Sequence, residues 1–241
     1  MRTRSSENVD ALYEHPYIVR FCHWLTAMSL AAMIGSGLVI FRAFPSFGGK
    51  IPEHDIVEMP SWIGFGGWLG GALQLHFTFM WVFAGTGLAY VLFQIASRNY
   101  KQVLFMWSDV RGVWPIFRHY FLSGPRPHIT QSYNALQKLA YTAVLFLGVV
   151  SLGTGAALYK PVQFNGLVWL LGGFRMVRVE HFFAMLGFLS FIPGHLIMVA
   201  VHGWGNFASM LSGWKAVDRR SYADAASNVA GKRHRIPVQG K

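Results

Sequence analysis

A chain of 241 residues with 53% hydrophobic and 13% charged residues is too apolar for an ordinary soluble domain, in which about a quarter of residues are charged. The formal net charge of +11 does not point to nucleic acid, because the basic residues lie between and beyond long apolar stretches, as the positive-inside rule requires. Cys22 is the only cysteine, which excludes an internal disulfide, an iron–sulfur cluster held by this chain alone and a C-x-x-C-H attachment site.

The elements follow in chain order. The segment through about Pro16 is polar, so a cleaved signal peptide is not expected, and the first span serves as an uncleaved signal-anchor. Four stretches reach spanning length: about 18–41, 69–96, 136–159 and 181–203. Between the first two runs a connection from about Arg42 to Trp68, rich in Gly, Pro and aromatics and carrying Glu53, Asp55 and Glu58. It would dock a partner or act as a lid on its own bundle. Its Gly-rich run from Gly64 to Gly71 lacks the strand–turn–helix context of a dinucleotide site. The connection from Arg98 to Thr130 mixes aromatics with Arg111, Arg118 and His119 over Trp107 to Leu122, the pattern of a basic amphipathic helix on a membrane surface, with Pro115 expected to kink or interrupt it. The expected fold is an all-α integral membrane protein: a four-helix transmembrane bundle over residues 1–215 with a basic tail over 216–241.

Orientation follows from Lys and Arg. Sixteen of the twenty-one lie in the N-terminus, the connection between spans two and three, and the tail; the other five lie in the remaining connections. Both termini are therefore expected in the cytoplasm. With that topology His23 starts the first span near the inner surface, His76 lies near the outer surface in the second, His181 opens the fourth on the outer side, and His195 lies about two turns before its inner end. Depths match in pairs, His76 with His181 and His23 with His195. On one helix His181 and His195 are separated by about 21 Å of rise and by about 40° of rotation, so both present to one interior side. Intramembrane histidines are costly and are retained for function. Four at paired depths suit the axial ligands of two non-covalent b-type haems in a bundle core. Gly35, Gly37, Gly85, Gly87, Gly187 and Gly194 would leave room for flat macrocycles or simply let the helices approach. His202, seven residues after His195, would replace it as the inner ligand or touch a propionate, a quinone or a headgroup. His15, His54, His119, His128 and His234 lie in polar segments and read as surface residues.

The pattern Arg20, His23, Trp24 opening the first span, with a fourth span carrying His181, His195 and His202, resembles the bacterial cytochrome b-561 and nickel–iron hydrogenase cytochrome b group, which includes the cytochrome b subunits of formate dehydrogenase and thiosulfate reductase. The resemblance covers about residues 15–210 and implies the same pairing, His23 with His195 and His76 with His181. Tyr133-Asn134-Ala135-Leu136-Gln137-Lys138 is similar to the segment opening the third helix of formate dehydrogenase cytochrome b subunits, which implies a cytoplasmic-side quinone site bordered by Asn134, Gln137 and His195 or His202. The alternative is that Asn134 caps the helix and Lys138 snorkels to headgroups. Gly66-Gly67-Trp68-Leu69 and Lys160-Pro161-Val162-Gln163 resemble cytochromes found with periplasmic molybdopterin oxidoreductases of the sulfite-oxidase type. These resemblances imply a multi-pass protein of the bacterial inner membrane that passes electrons between a periplasmic redox subunit and quinone, without a catalytic residue for a soluble substrate. Arg20 would hold a propionate of the inner haem or anchor the helix end. The rival readings are a self-contained cytochrome that oxidises a small reductant such as superoxide, with Lys50, Arg175 and Arg178 over the outer haem, and a haem-free membrane anchor or proton relay.

Overall fold

The computed structural model of the chain describes residues 9–43, 60, 62–122, 124–125 and 133–218. In order these form β1 (Val9–Tyr13), α1 (Tyr17–Ala43), α2 (Leu69–Ala96), α3 (Tyr100–Val103), a 3₁₀ turn (Trp107–Asp109), α4 (Val110–Phe121), α5 (Ala135–Tyr159), α6 (Asn165–Leu170), α7 (Phe174–His202), α8 (Trp204–Ser212) and β2 (Trp214–Asp218). Four helices, α1, α2, α5 and α7, are long and apolar enough to cross a membrane. In hydrocarbon every backbone N–H and C=O must be satisfied within the segment, and a helix does this by itself. Large apolar side chains such as Trp81 and Val149 stand on the outside of the protein, where lipid rather than water accounts for them. The four spans bear out the expected all-α bundle.

The chain divides into two compact units. The larger, residues 21–194, holds most of the spans together with α3 to α6. The N terminus of α5 is built by a capping box: Asn134 Oδ1 accepts the Gln137 N–H at 2.9 Å, and Gln137 Oε1 accepts the Asn134 N–H at 3.0 Å. One turn on, Lys138 does not snorkel to headgroups. Its Nζ lies 3.2 and 3.3 Å from the two carboxylate oxygens of Asp109, with both side chains only 6% exposed. Asp109 also accepts the Met106 N–H at 2.9 Å, which pulls its carboxyl below the ordinary range, with Lys138 acting in the same direction. The pair fastens the 3₁₀ turn and α4 to the start of α5. A cation in the first turn of a helix opposes the helix dipole, and the Asp109 carboxylate offsets that cost.

In the helix α4 itself the structure departs from expectation at Pro115, which sits inside a continuous helix rather than ending it. Its face divides three ways. Ile116 is buried, Arg111 and Arg118 are exposed, and Val110, Trp114 and Phe117 form an exposed apolar stripe, with Trp114 and Phe117 stacked at 5.9 Å. That division is the one an interfacial helix needs. The fourth span also begins earlier than expected, at Phe174 instead of His181. Arg175, Arg178 and Glu180 break the apolar run there and hide the first two turns from a hydropathy reading.

The smaller unit comprises residues 1–20 and 195–241. Its main feature is a two-stranded antiparallel ribbon in which Val9 pairs with Asp218 and Tyr13 with Trp214. The Tyr13 and Trp214 rings meet edge to face at 5.1 Å, and Lys215 pairs with Glu14 at 3.2 Å. Gly213 ends α8 in the left-handed conformation, and its carbonyl accepts the Glu14 N–H at 2.9 Å. Regular structure thus extends through Asp218, three residues into the segment expected as a tail.

Candidate functional site

His76 and His181 come together. Their ring centroids are 6.3 Å apart, with the planes inclined at 66°. A metal–imidazole bond of about 2 Å on each side, plus the distance from ring nitrogen to ring centre, requires about 6 Å between two rings that face one metal from opposite sides. Among the described residues no group of three or more His, Cys, Asp or Glu side chains could hold a metal ion. Two imidazoles alone leave the other coordination positions to the cofactor itself, as a porphyrin does. The residues present fit a bis-histidine haem.

Each ring is held from behind by the same device. His76 Nδ1 lies 3.1 Å from Ser36 Oγ and 3.1 Å from the Met33 carbonyl on α1. His181 Nδ1 lies 2.8 Å from Thr154 Oγ1 and bonds the Ser151 carbonyl on α5. The Ser36 hydroxyl gives its proton to the Ala32 carbonyl at 2.7 Å, and Thr154 gives its own to Val150 at 2.7 Å. With those protons spent, both hydroxyls accept, so each imidazole carries its proton on Nδ1 and keeps the Nε2 lone pair for a metal. Gly37 and Gly155 follow the two hydroxyl residues. A Cβ there would lie 3.4 Å from His76 Cε1 and 3.3 Å from His181 Cε1, so glycine lets each ring sit close to the helix behind it.

The surroundings repeat as well. Ala72 and Val177, one turn before each histidine, are fully buried. Phe83 and Phe188, two turns after each, meet edge to face at 6.2 Å. Two turns of helix are about 10 Å, so this aromatic pair closes the space beneath the histidines. Around the site Phe41 stacks on Phe182 at 4.7 Å and Phe77 packs on Tyr159 at 4.5 Å.

From the connection between α1 and α2, residues 60 and 62–68 are described, and they return onto α1. Phe65 N–H donates to the Gly35 carbonyl at 3.0 Å, and Arg42 donates to Pro60. Gly64 and Gly66 make this close return with φ of +118° and +103°. The expected docking residues Glu53, Asp55 and Glu58, together with Lys50, lie outside the described residues, as do His54, His128, His234 and the tail beyond Asp218.

The other expected residues fall as follows. His23 lies on α1, its ring edge-on to Trp24 at 5.2 Å. His195 is half-buried on α7 and belongs to the terminal unit, whereas His23 belongs to the larger one. His202 ends α7, and its side chain lies outside the described part. Arg20 donates to the Leu211 carbonyl and lies over the Tyr17 ring. Asn134 and Gln137 spend their side-chain oxygens on the capping box.

Ser36 and Thr154 were not legible as site residues in the sequence. The signal available there is the dipeptide Ser36-Gly37 on one span and Thr154-Gly155 on another, one against His76 and the other against His181.

Residues 14–213 match the prokaryotic cytochrome b561 family. The chain is 37% identical over 188 residues to the putative protein-methionine-sulfoxide reductase subunit YedZ1 of Azospira oryzae, covering 78% of this chain and 90% of that protein. It is 25% identical over 211 residues to the probable Ni/Fe-hydrogenase 1 B-type cytochrome subunit of Escherichia coli, covering 81% and 85%. It is 23% identical over 219 residues to the probable Ni/Fe-hydrogenase B-type cytochrome subunit of Azotobacter chroococcum, covering 85% and 88%. With four spans of membrane length and the family matched over most of its residues, this chain is a membrane b-type cytochrome of electron transport and belongs to the prokaryotic cytochrome b561 family.

Proposed function

We propose that this chain is the di-haem membrane subunit of a bacterial inner-membrane redox complex, carrying electrons between a periplasmic oxidoreductase and the quinone pool, with both termini in the cytoplasm. The observation that carries this reading is the His76–His181 pair, 6.3 Å apart, with both Nδ1 atoms tied and both Nε2 atoms left for a metal. In this reading His76 and His181 hold the outer haem, and His23 and His195 hold the inner one. Bound haem supplies one-electron redox chemistry. The protein's part is to keep the ligands oriented, exclude water with the Phe83–Phe188 pair, and hold the lid of residues 62–68 over the outer end.

The partner belongs to the same proposal. The relatives' names place such cytochromes with a hydrogenase and with a methionine-sulfoxide reductase. A molybdopterin-dependent partner for this chain rests on the segments Gly66–Leu69 and Lys160–Gln163. In this reading Asn134, Gln137 and His195 or His202 border a cytoplasmic-side quinone site. The capping box leaves the two side-chain amide nitrogens of Asn134 and Gln137 as donors toward a quinone carbonyl.

The test is haem quantified per polypeptide, with a reduced-minus-oxidised spectrum, for the wild type and for four single alanine variants. The reading expects two b haems in the wild type, one common spectral component lost in His76→Ala and His181→Ala, and the other lost in His23→Ala and His195→Ala. A folded wild-type protein without haem would overturn it in favour of a haem-free anchor or proton relay. A different grouping of the four variants would overturn the ligand assignment.

A further inference from the structure

Two helices that are unrelated in the chain present the same four-part cradle. On α1 it consists of the Ala32 carbonyl, the Met33 carbonyl, the Ser36 hydroxyl and Gly37; on α5, of the Val150 carbonyl, the Ser151 carbonyl, the Thr154 hydroxyl and Gly155. In each case the hydroxyl bonds the carbonyl four residues earlier at 2.7 Å, and the histidine of the neighbouring helix takes the hydroxyl and the carbonyl three residues earlier. Ser36 is fully buried, and Thr154 is 2% exposed. Neither hydroxyl is needed to satisfy its own helix, because a helix closes its backbone ladder without side chains. Each is aimed at one atom, the imidazole Nδ1.

We propose that Ser36 and Thr154 are positioning residues that set the reduction potential and the ring orientation of the haem between His76 and His181. The inference rests on the haem reading above and goes beyond it, since ligation needs only the two Nε2 atoms. An oxygen accepting from Nδ1–H makes the imidazole a stronger donor to the metal and fixes its orientation. A stronger donor favours ferric over ferrous iron, so the two cradles hold the potential down. The sides are unequal. Each histidine divides its proton between a hydroxyl and a carbonyl, but the hydroxyl lies 3.1 Å from Nδ1 at His76 and 2.8 Å from it at His181. The two rings, each held by its own cradle, are inclined at 66°.

The experiment is an optical redox titration of purified, haem-loaded full-length protein, with low-temperature EPR of the oxidised form, for the wild type, Ser36→Ala, Thr154→Val, Thr154→Ser and the Ser36→Ala/Thr154→Val double variant. Thr154→Val is expected to raise the potential of one haem so that its ferrous-to-ferric ratio at fixed ambient potential grows about tenfold, about 59 mV for one electron. Ser36→Ala moves the same haem by less, and the double variant by about the sum. The second haem keeps its potential throughout. The EPR g-values of the affected haem move as its rings lose their fixed inclination. Thr154→Ser, which keeps the hydroxyl and loses the methyl, stays with the wild type in both readouts.

Potentials and g-values unchanged in Thr154→Val and Ser36→Ala would overturn the inference and leave the hydroxyls as packing groups. A Thr154→Ser variant that behaves like Thr154→Val, in potential or in loss of haem, would also overturn it by assigning the effect to the methyl group. Failure of the underlying reading looks different: the wild type itself would then carry no haem that disappears with His76 or His181.

Discussion

The Lys138–Asp109 pair offers a test of how the connection between α2 and α5 is held. Replacing Lys138 with Met keeps the volume of the stem but leaves the Asp109 carboxylate, 6% exposed, without the ammonium and with the Met106 N–H still donating to it. Breaking a buried pair by removing one partner costs about 3–5 kcal/mol, because the remaining charge stays desolvated. Asp109→Asn keeps an oxygen for the Met106 N–H but strands the ammonium. The double variant removes both charges and should be less destabilised than Lys138→Met alone, giving a coupling of at least about 2 kcal/mol. The assay is unfolding in mixed micelles, followed by tryptophan fluorescence, for all four corners of the cycle. The pH dependence has a definite sign. The folded carboxyl is lowered by the Met106 N–H first and by Lys138 as well, so its contribution is complete above the unfolded value of about 3.9 and is lost as pH falls through the lower folded value. The wild type should therefore lose stability over that acid range more steeply than Asp109→Asn. A Lys138→Met loss under about 1 kcal/mol, or a strictly additive cycle, would refute the reasoning.

Other expectations concern single elements. Asn134→Ala removes half of the capping box and should cost about 1 kcal/mol, read in the same unfolding assay, with Asn134→Ser recovering most of it. Gly64→Ala puts a side chain at φ +118°, so it should loosen the lid, raise hydrogen exchange at the Phe65 amide and leave the four spans unchanged. His15 is held below its ordinary value, chiefly by burial, with Lys215 and Arg20 adding to this and Glu14 opposing it. Its contribution to the ribbon is therefore complete above the unfolded value of about 6.5 and is lost as pH falls through the folded one, so amide exchange across β1 and β2 should rise between pH 7 and 5 in the wild type and less in His15→Gln. Trp114→Ala with Phe117→Ala should weaken protection of α4 in bilayers while sparing the spans, as measured by limited proteolysis in liposomes.

Much of this architecture was legible because a membrane leaves few choices. Apolar runs of spanning length must be helices, so α1, α2 and α5 fell within two residues of their expected bounds. The approach of His76 to His181 was legible for the same reason: a costly group at a defined depth calls for a partner at that depth. Where the solvent changes, the signal weakened. Arg175, Arg178 and Glu180 occupy the first turns of α7, where charge is tolerated at the interface, and hydropathy placed the start of the helix seven residues late. The ribbon was missed because five-residue strands 200 residues apart carry no local mark of each other. The return of residues 62–68 onto α1 rests on one backbone bond, Phe65 to Gly35, which leaves no mark in the sequence. The pairing of Lys138 has no local mark in the sequence, because its partner, Asp109, lies 29 residues earlier in an amphipathic segment.

The ribbon also bears on biosynthesis. Strand β1 is made before the four described spans and β2 after them, with two hundred residues or more between their paired positions. Pairing of such distant segments is slow to find and cannot begin until the final span has been inserted and α8 has emerged. The N-terminal strand must therefore wait, with its edge open, through the assembly of all four helices. Closure of the ribbon is a marker of completed insertion. A ribosome-stalled chain lacking residues 214–218 should remain sensitive to protease around Tyr13, even where its spans are already in place.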